Sequence, residues 1–295
     1  MKLLQFRKGN KIRLGVLTEA EVMDVEKAGL MLGSKLPATM EELINSGESG
    51  LKALKSLLDK IQKEDYLSTI KIPLENIRYA PCVSSPEKII CAGLNYMNHA
   101  AEFKSEIPEH PILFSKYANA LAGHQELIRL PANASKFDYE AELVIVIGKT
   151  ASNVKEEEAL SYVFGYTAGN DLSARDLQFR SSQWLLGKTC DGFAPVGPWI
   201  VTADELTNPQ SLDIQCKVNG VLRQSASTKD MIFDCARLVS YASQYMTLKP
   251  GDIIFTGTPG GVILGDPPSE QKWLKAGDII EVSIESIGTL TNILA

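Results

Sequence analysis

The stretch "FDYEAELVIVIG", residues 137–148, sets two glutamates, Glu140 and Glu142, at the mouth of an almost wholly apolar run. Side chains alternate faces along a β-strand, so the two carboxylates share a face, with Cα atoms roughly 6.5 Å apart. Like charges at that spacing repel unless something positive lies between them. Ala141 and Leu143 face the opposite side. An exposed edge strand wearing alternate charges would show the same spacing. The continuation "LVIVIG", apolar on both faces, instead predicts a strand that enters the interior. Two carboxylates at the end of such a strand need a cation.

Composition narrows what that cation serves. The 295-residue chain is 44% hydrophobic and 22% charged, ordinary values for a soluble globular protein with a sizeable core. Its 30 Lys+Arg against 36 Asp+Glu give a net charge of −6, with no basic run suited to nucleic acid or an anionic membrane. Small-molecule chemistry is the expectation that remains. The charged start "MKLLQFRKGNKIRLGVL" has no apolar core of a signal peptide, and no window approaches the ~18 apolar residues of a membrane span. The five cysteines, Cys82, Cys91, Cys190, Cys216 and Cys235, are scattered and form no CxxC pair. These features predict a cytoplasmic protein with reduced thiols.

Along the chain, "KIRLGVLTEAEVMDVEKA" (11–28) reads as two short strands around a turn. In residues 39–65, Leu51, Leu54, Leu57, Leu58 and Ile61 recur at helical spacing. A proline-bearing shift to β-branched residues follows, and it divides a small N-terminal α/β domain, 1–77, from a larger one, 78–295. The larger part is strand-rich. "CKVNGVLRQ" carries a hairpin signal at Asn219-Gly220, and "DIIFTG" and "DIIEVSIESIG" each follow a Lys-x-Gly-Asp turn. Helical stretches are expected at about 171–185 and 229–246, giving an α+β class with a largely antiparallel or mixed sheet.

A hard divalent ion takes oxygen ligands and calls for a third carboxylate. The candidate is Asp171 in "YTAGNDLSARDLQ". Three other readings of that segment stand beside it. Asp171 or Ser173 can cap a helix, Ser173 and Asp176 have capping-box spacing, and Asp171 with Arg175 can form an i, i+4 pair. With three histidines (His99, His110, His124) and no cysteine cluster, zinc is the less economical metal.

Five segments, taken together, are specific. "GLNYMNHAAE", "FDYEAELVIVIG", "GYTAGNDLSARDLQ", "GKTCDGFAPVGPWIV" and "LKPGDIIFTGTPGGV" occur in an order and spacing that closely resembles the fumarylacetoacetate hydrolase family. The resemblance spans roughly residues 78–295 and is strongest to the bacterial branch of acylpyruvate hydrolases, oxaloacetate decarboxylases or tautomerases, and hydroxymuconate-type isomerases. It implies a mixed β-sandwich roll, a homodimer, and a Mg2+ or Mn2+ ion held by Glu140, Glu142 and Asp171. It further implies a His-x-x-Glu dyad at His99 and Glu102 on a helical lid, with segment 102–111 forming or flanking that lid. A catalytic lysine falls at Lys188, and substrate contacts fall at Arg175, Gln178 and the "TGTP" backbone around Thr258. One departure is Gly192, in "CDGFAP", where relatives commonly have threonine. Cys190, close to Lys188, reads as a small packing residue.

The chemistry asks for the same set. A 2-oxo acid can chelate a divalent ion through its carboxylate and 2-oxo oxygens, and an enolate formed beside them is stabilised by the ion and a lysine. Water attack at a distal carbonyl additionally needs a base, the role suited to His99 oriented by Glu102. The expected activity is hydrolysis of acylpyruvate-type 2,4-dioxo acids to give pyruvate. Oxaloacetate decarboxylation or tautomerisation comes next, then 2-hydroxyhepta-2,4-diene-1,7-dioate isomerisation. Outside the enzyme class stands a metal-dependent dicarboxylate-binding regulator, against which His99, Glu102 and Lys188 count.

Overall fold

The computed structural model describes residues 1–61, 67–102 and 106–295. The strand that decides the fold, Ala141–Ile147, is buried along its whole length. It lies between Val163–Asn170 and Ile253–Phe255 inside the larger sheet, antiparallel to both. Its faces go to different cores. Leu143, Ile145 and Ile147 join a cluster with Ile214, Val282 and Leu290 of a second, five-stranded sheet. Val144 and Val146 pack on the other side with Phe255, Leu3 and Met23. A strand covered on both faces has no place for alternating polar residues, which is why the run reads as continuous hydrophobicity.

Beyond Val163–Asn170 the larger sheet continues through Ala194–Thr202 to the N-terminal strands Lys2–Lys8, Lys11–Thr18 and Glu21–Asp24. Beyond Ile253–Phe255 it runs through Ile89–Gly93, joined in parallel, to Ile112–Lys116. The second sheet orders Val221–Ser227, Asp213–Val218, Ile279–Ile284, Gly288–Leu294 and Leu127–Ile128. Mixed sheets with several helices bear out the expected α+β class. Residues 1–77 are tied in by hydrogen-bonded pairing, Leu3 opposite Ile200, and by a core shared with Val144 and Phe255. We propose that they form a small lobe that buttresses the face of the sheet away from the second sheet.

The strands and turn read in 11–28 are present, with Asp24 capping the helix Val25–Met31 by accepting from Lys27 N at 3.2 Å. The amphipathic helix runs Met40–Ile61 and is broken at Gly47; Leu54, Leu57 and Ile61 are its buried stripe. The remainder of the expected helix, 62–65, lies outside the described residues. Asn219-Gly220 turns the expected hairpin. Both Lys-x-Gly-Asp segments are closed by the aspartate, which accepts from the lysine N–H at 2.8 Å, Asp252 from Lys249 and Asp278 from Lys275. No helix among the described residues is long and apolar enough to cross a membrane.

Two helical expectations are corrected. Residues 171–185 are not one helix, because Ser173–Ala174 pairs with Phe137–Asp138 as strand and leaves only the short helices Arg175–Gln178 and Leu185–Lys188. Residues 229–246 begin as a 3-10 turn at Thr228–Asp230, and the α-helix spans Cys235–Tyr245 from an Asp234 cap. In both places pairing or capping contacts set by the tertiary structure override the local pattern.

Close strand packing yields a stability test. A Cβ on Gly165 would lie 2.3 Å from the Val201 carbonyl oxygen and 2.7 Å from Ile200 Cγ2. Gly165→Ala should therefore destabilise the protein by about 1–3 kcal/mol, the usual cost of overpacking. Chemical denaturation measures it, and an unchanged midpoint would contradict this packing.

Candidate metal centre and active site

Strand register brings the carboxylates together. Ala141 pairs with Asn170, so Glu140 and Asp171 lie side by side where the two strands end. The Glu140 N–H donates to Asn170 Oδ1 at 2.9 Å, and the Asp171 N–H donates to the Glu140 carbonyl at 2.9 Å. Glu142, two residues along on the same face, completes a buried group whose ligand oxygens all lie within 4.8 Å of one another. Asp171 is thus not a helix cap. Ser173 does not cap the following helix either; its hydroxyl donates to the Asp171 carbonyl at 3.0 Å, and the cap position is Ala174.

Cations surround this group. Lys188 Nζ lies 2.7 Å from Glu140 Oε2 and 3.0 Å from Asp171 Oδ2. Arg175 Nη2 lies 2.7 Å from Glu140 Oε1 and 2.9 Å from Asp138 Oδ2. Lys116 Nζ lies 2.6 Å from Asp171 Oδ1. Burial alone would raise the Glu140 pKa, but the Lys188 and Arg175 charges outweigh it and hold the carboxyl well below its ordinary range. Burial alone would lower the Lys188 pKa, and Asp171 and Glu140 more than offset that. Glu142 behaves oppositely. Burial first, then the charges of Asp171 and Glu140, push it well above the ordinary range, with the Gly257 N–H bond a smaller opposing influence.

That bond, 2.6 Å from Gly257 N to Glu142 Oε2, anchors the "TGTP" loop to the carboxylates. Gly257 has φ +94, and a Cβ there would stand 2.7 Å from Asn95 Cβ, so the turn requires glycine. The Thr258 hydroxyl donates to the Ala141 carbonyl at 2.9 Å and accepts from Gln224 Nε2 at 2.8 Å. Its proton and one of its lone pairs are thereby engaged within the protein.

The helix Met97–Glu102, the expected lid, is bonded to this loop. Glu102 Oε2 lies 3.3 Å from His99 Nδ1, while its Oε1 accepts from the Gly261 N–H at 2.6 Å. Asn98 Oδ1 accepts from the Gly260 N–H at 3.1 Å. Of the expected lid segment 102–111, residues 103–105 lie outside the described residues. A cavity of about 230 Å³ opens between lid and sheet, with His99, Glu140, Arg175, Gln178, Lys188 and Thr258 in its walls and Phe114, Phe179, Trp184 and Leu264 as its apolar side. Gln178 Oε1 accepts from Arg175 Nη1 at 2.9 Å, which leaves its side-chain NH2 as the available donor.

The fold therefore brings His99, Glu140, Arg175, Gln178, Lys188 and Thr258 to one cavity, with Glu142 and Asp171 beside Glu140 and Glu102 beside His99. Sequence reasoning missed Asp138, Lys116 and Gln224. Asp138 continues the alternation of Glu140 and Glu142 within the stretch that opened the reading, and it fixes Arg175 while accepting from Ile263 N at 2.9 Å and Leu264 N at 3.0 Å. Lys116 had a fainter signal, a lone cation ending the apolar run "ILFSK". Gln224 had none, since its contacts cross from the second sheet. Gly192 has φ +78, a conformation that disfavours a β-branched residue such as threonine. Burial pushes the Cys190 thiol up, away from the thiolate a nucleophile needs.

Converging hard oxygens suit a hard divalent cation and are a poor match for a soft one. Because the folded-state pKa of Glu142 lies above its unfolded value, the folded protein loses stability as pH rises from the ordinary carboxylate range toward that raised pKa. Glu142→Gln should therefore raise the melting temperature of metal-free protein at neutral pH and flatten that pH dependence. It should also weaken Mn2+ binding by at least about 100-fold, beyond the usual effect of losing an outer partner. Calorimetry with and without Mn2+ reads both, and a variant with unchanged Mn2+ affinity would remove Glu142 from the ligand set.

Residues 88–295 match the family model of the fumarylacetoacetate (FAA) hydrolase C-terminal domain. A mitochondrial oxaloacetate tautomerase of Xenopus laevis is 41% identical over 299 residues, covering 99% of this chain and 89% of the relative. The oxaloacetate tautomerase YisK of Bacillus subtilis is 39% identical, covering 96% of each. Among solved structures, maleylpyruvate hydrolase from Sphingobium sp. SYK-6, in complex with manganese(II) ion and pyruvate, superimposes with a TM-score of 0.80 at 33% identity, over 100% of this chain and 99% of that one. With its carboxylate group and Lys188 both inside the matched segment, which covers most of the chain, the chain belongs to the fumarylacetoacetate hydrolase family.

Proposed function

We propose that this protein is a Mg2+- or Mn2+-dependent oxaloacetate tautomerase, with Glu140, Glu142 and Asp171 as metal ligands. The observation that carries this reading is the convergence of three buried carboxylates with Lys188 beside a cavity lined by Glu140, Lys188 and His99. Support from likeness comes from the two curated relatives named for that activity, which match nearly the whole chain.

Keto–enol exchange moves one proton between C3 and the 2-oxo oxygen and breaks no carbon–carbon bond. A divalent ion on the carboxylates supplies Lewis-acid stabilisation of negative charge at the substrate's oxygens. Lys188, held charged by Glu140 and Asp171, adds a second positive centre where the enolate develops. His99 is placed to carry the C3 proton, its ring oriented by Glu102. The Thr258 backbone N–H, with the Gln178 side-chain amide, suits a substrate carboxylate, and the bonds from Gly260 and Gly261 to Asn98 and Glu102 hold the His99 helix against that loop.

A second reading, hydrolysis of acylpyruvate-type acids, uses the same grip and asks His99 to activate water. It is favoured by the apolar wall of Phe179, Trp184 and Leu264, which suits an acyl tail. Assays with Mg2+ or Mn2+ that follow the ultraviolet absorbance of the oxaloacetate enol, alongside mass analysis of acylpyruvate products, separate the two. Tautomerisation abolished by chelator and lowered by about 100-fold or more in His99→Ala is the expected result, that being the usual worth of a general acid or base. Release of pyruvate from acylpyruvates without tautomerisation would overturn the first reading in favour of the second. For assembly we propose a cytoplasmic homodimer formed mainly through 85–295; light scattering should give twice the 32.2 kDa chain mass, and a monomer at micromolar concentration would refute it.

A further inference from the structure

Lys116 ends the edge strand Ile112–Lys116, yet its side chain is fully buried. Its ammonium lies 2.6 Å from Asp171 Oδ1 and donates to the carbonyls of Leu172 at 3.0 Å, Phe193 at 2.6 Å, and Lys188. Four oxygens thus surround a group with three N–H bonds. No donor is left over.

The position of Lys116 separates it from the other two cations. Lys188 and Arg175 stand in the cavity wall, where an anionic substrate reaches them. Lys116 lies behind Asp171, outside that wall, so its charge stays with the carboxylates whether substrate is bound or not. Arg175 is matched by Asp138, which accepts from its Nε at 2.9 Å. The remaining balance is simple. Ionised as ligands of a hard cation, Glu140, Glu142 and Asp171 carry three negative charges, one is offset by Lys116, and two are left. A divalent ion cancels two charges, and Lys188 then remains for the negative charge that develops on the substrate.

We propose that Lys116 is a fixed counter-charge that sets the carboxylate site for a divalent ion and against a trivalent one, a positioning residue that never touches substrate. The proposal rests on the metal-ligand reading above. A buried unit charge one carboxylate away from the ion acts through a medium far less screening than water, so removing it changes ion binding strongly and more for a higher ionic charge.

The test measures ions and needs no turnover. Mn2+ binding is followed by electron paramagnetic resonance of the free ion, and Tb3+ binding by luminescence, in the wild type, Glu142→Gln, Lys116→Met and Lys116→Gln; the glutamine keeps an N–H donor for the carbonyls without the charge. The wild type should bind Mn2+ at a site lost in Glu142→Gln. Both Lys116 variants should hold Mn2+ more tightly, by at least about tenfold, and Tb3+ tighter still, so that the ratio of affinities moves toward the trivalent ion. A residue serving packing alone would weaken both ions or neither. Unchanged or weaker binding in a folded Lys116 variant overturns the counter-charge role alone, as does failure of both variants to fold, which would make the carbonyl cage the reason for the lysine. A wild type without a Glu142-dependent Mn2+ site overturns the metal reading itself.

Discussion

Burial of like charges at one strand end is the constraint on which the rest of the structure depends. Glu140, Glu142 and Asp171 converge where the Ala141–Asn170 pair closes the central ladder. Carboxylates removed from water are costly unless they are paired and hydrogen-bonded. The protein answers with Lys116 from an edge strand, Lys188 from a short helix and Arg175 from another. Each comes from a different part of the chain. Their neutralising contacts also cement the sheet end, so the site and the scaffold share the same bonds.

The same economy extends outward. Asp138 holds Arg175 and the turn at Ile263 and Leu264. Gln224 reaches from the second sheet to Thr258 and to the Ala141 N–H beside the carboxylates, at 2.8 and 3.0 Å. Glu102 divides its two oxygens between His99 and the Gly261 N–H. Lid, loop and second sheet are thereby connected to the carboxylates by short polar contacts. Buried polar networks of this kind fix one arrangement because a half-satisfied alternative is costly.

Such a grip serves more than one reaction. Stabilising an enolate is common to tautomerisation, decarboxylation and carbon–carbon cleavage of 2-oxo acids, and relatives of this chain carry names from more than one of these classes. Fold alone does not choose among them. The differences reside in the cavity's apolar side and in what the His99–Glu102 pair does with its proton.

The sequence by itself determined the buried central strand and the same-face placement of Glu140 and Glu142, because period-two alternation and an unbroken apolar run are local properties. It also determined the amphipathic helix up to Ile61, the Asn219-Gly220 hairpin and, through the order of five motifs, the family. The partnership of Asp171 was beyond local reasoning, since a cap, a surface pair and a member of a carboxylate group look identical in "GNDLSARD"; the register between two strands set it beside Glu140. Residues 171–185 looked helical for the same reason, and pairing of Ser173–Ala174 with Phe137–Asp138 broke the helix. Lys116 and Gln224 were hidden more deeply. Their partners lie 55 or more and 34 or more positions away in the chain, Asp171 and Leu172 for the one and Thr258 and Ala141 for the other, and only the packed sheets bring those atoms within hydrogen-bonding reach.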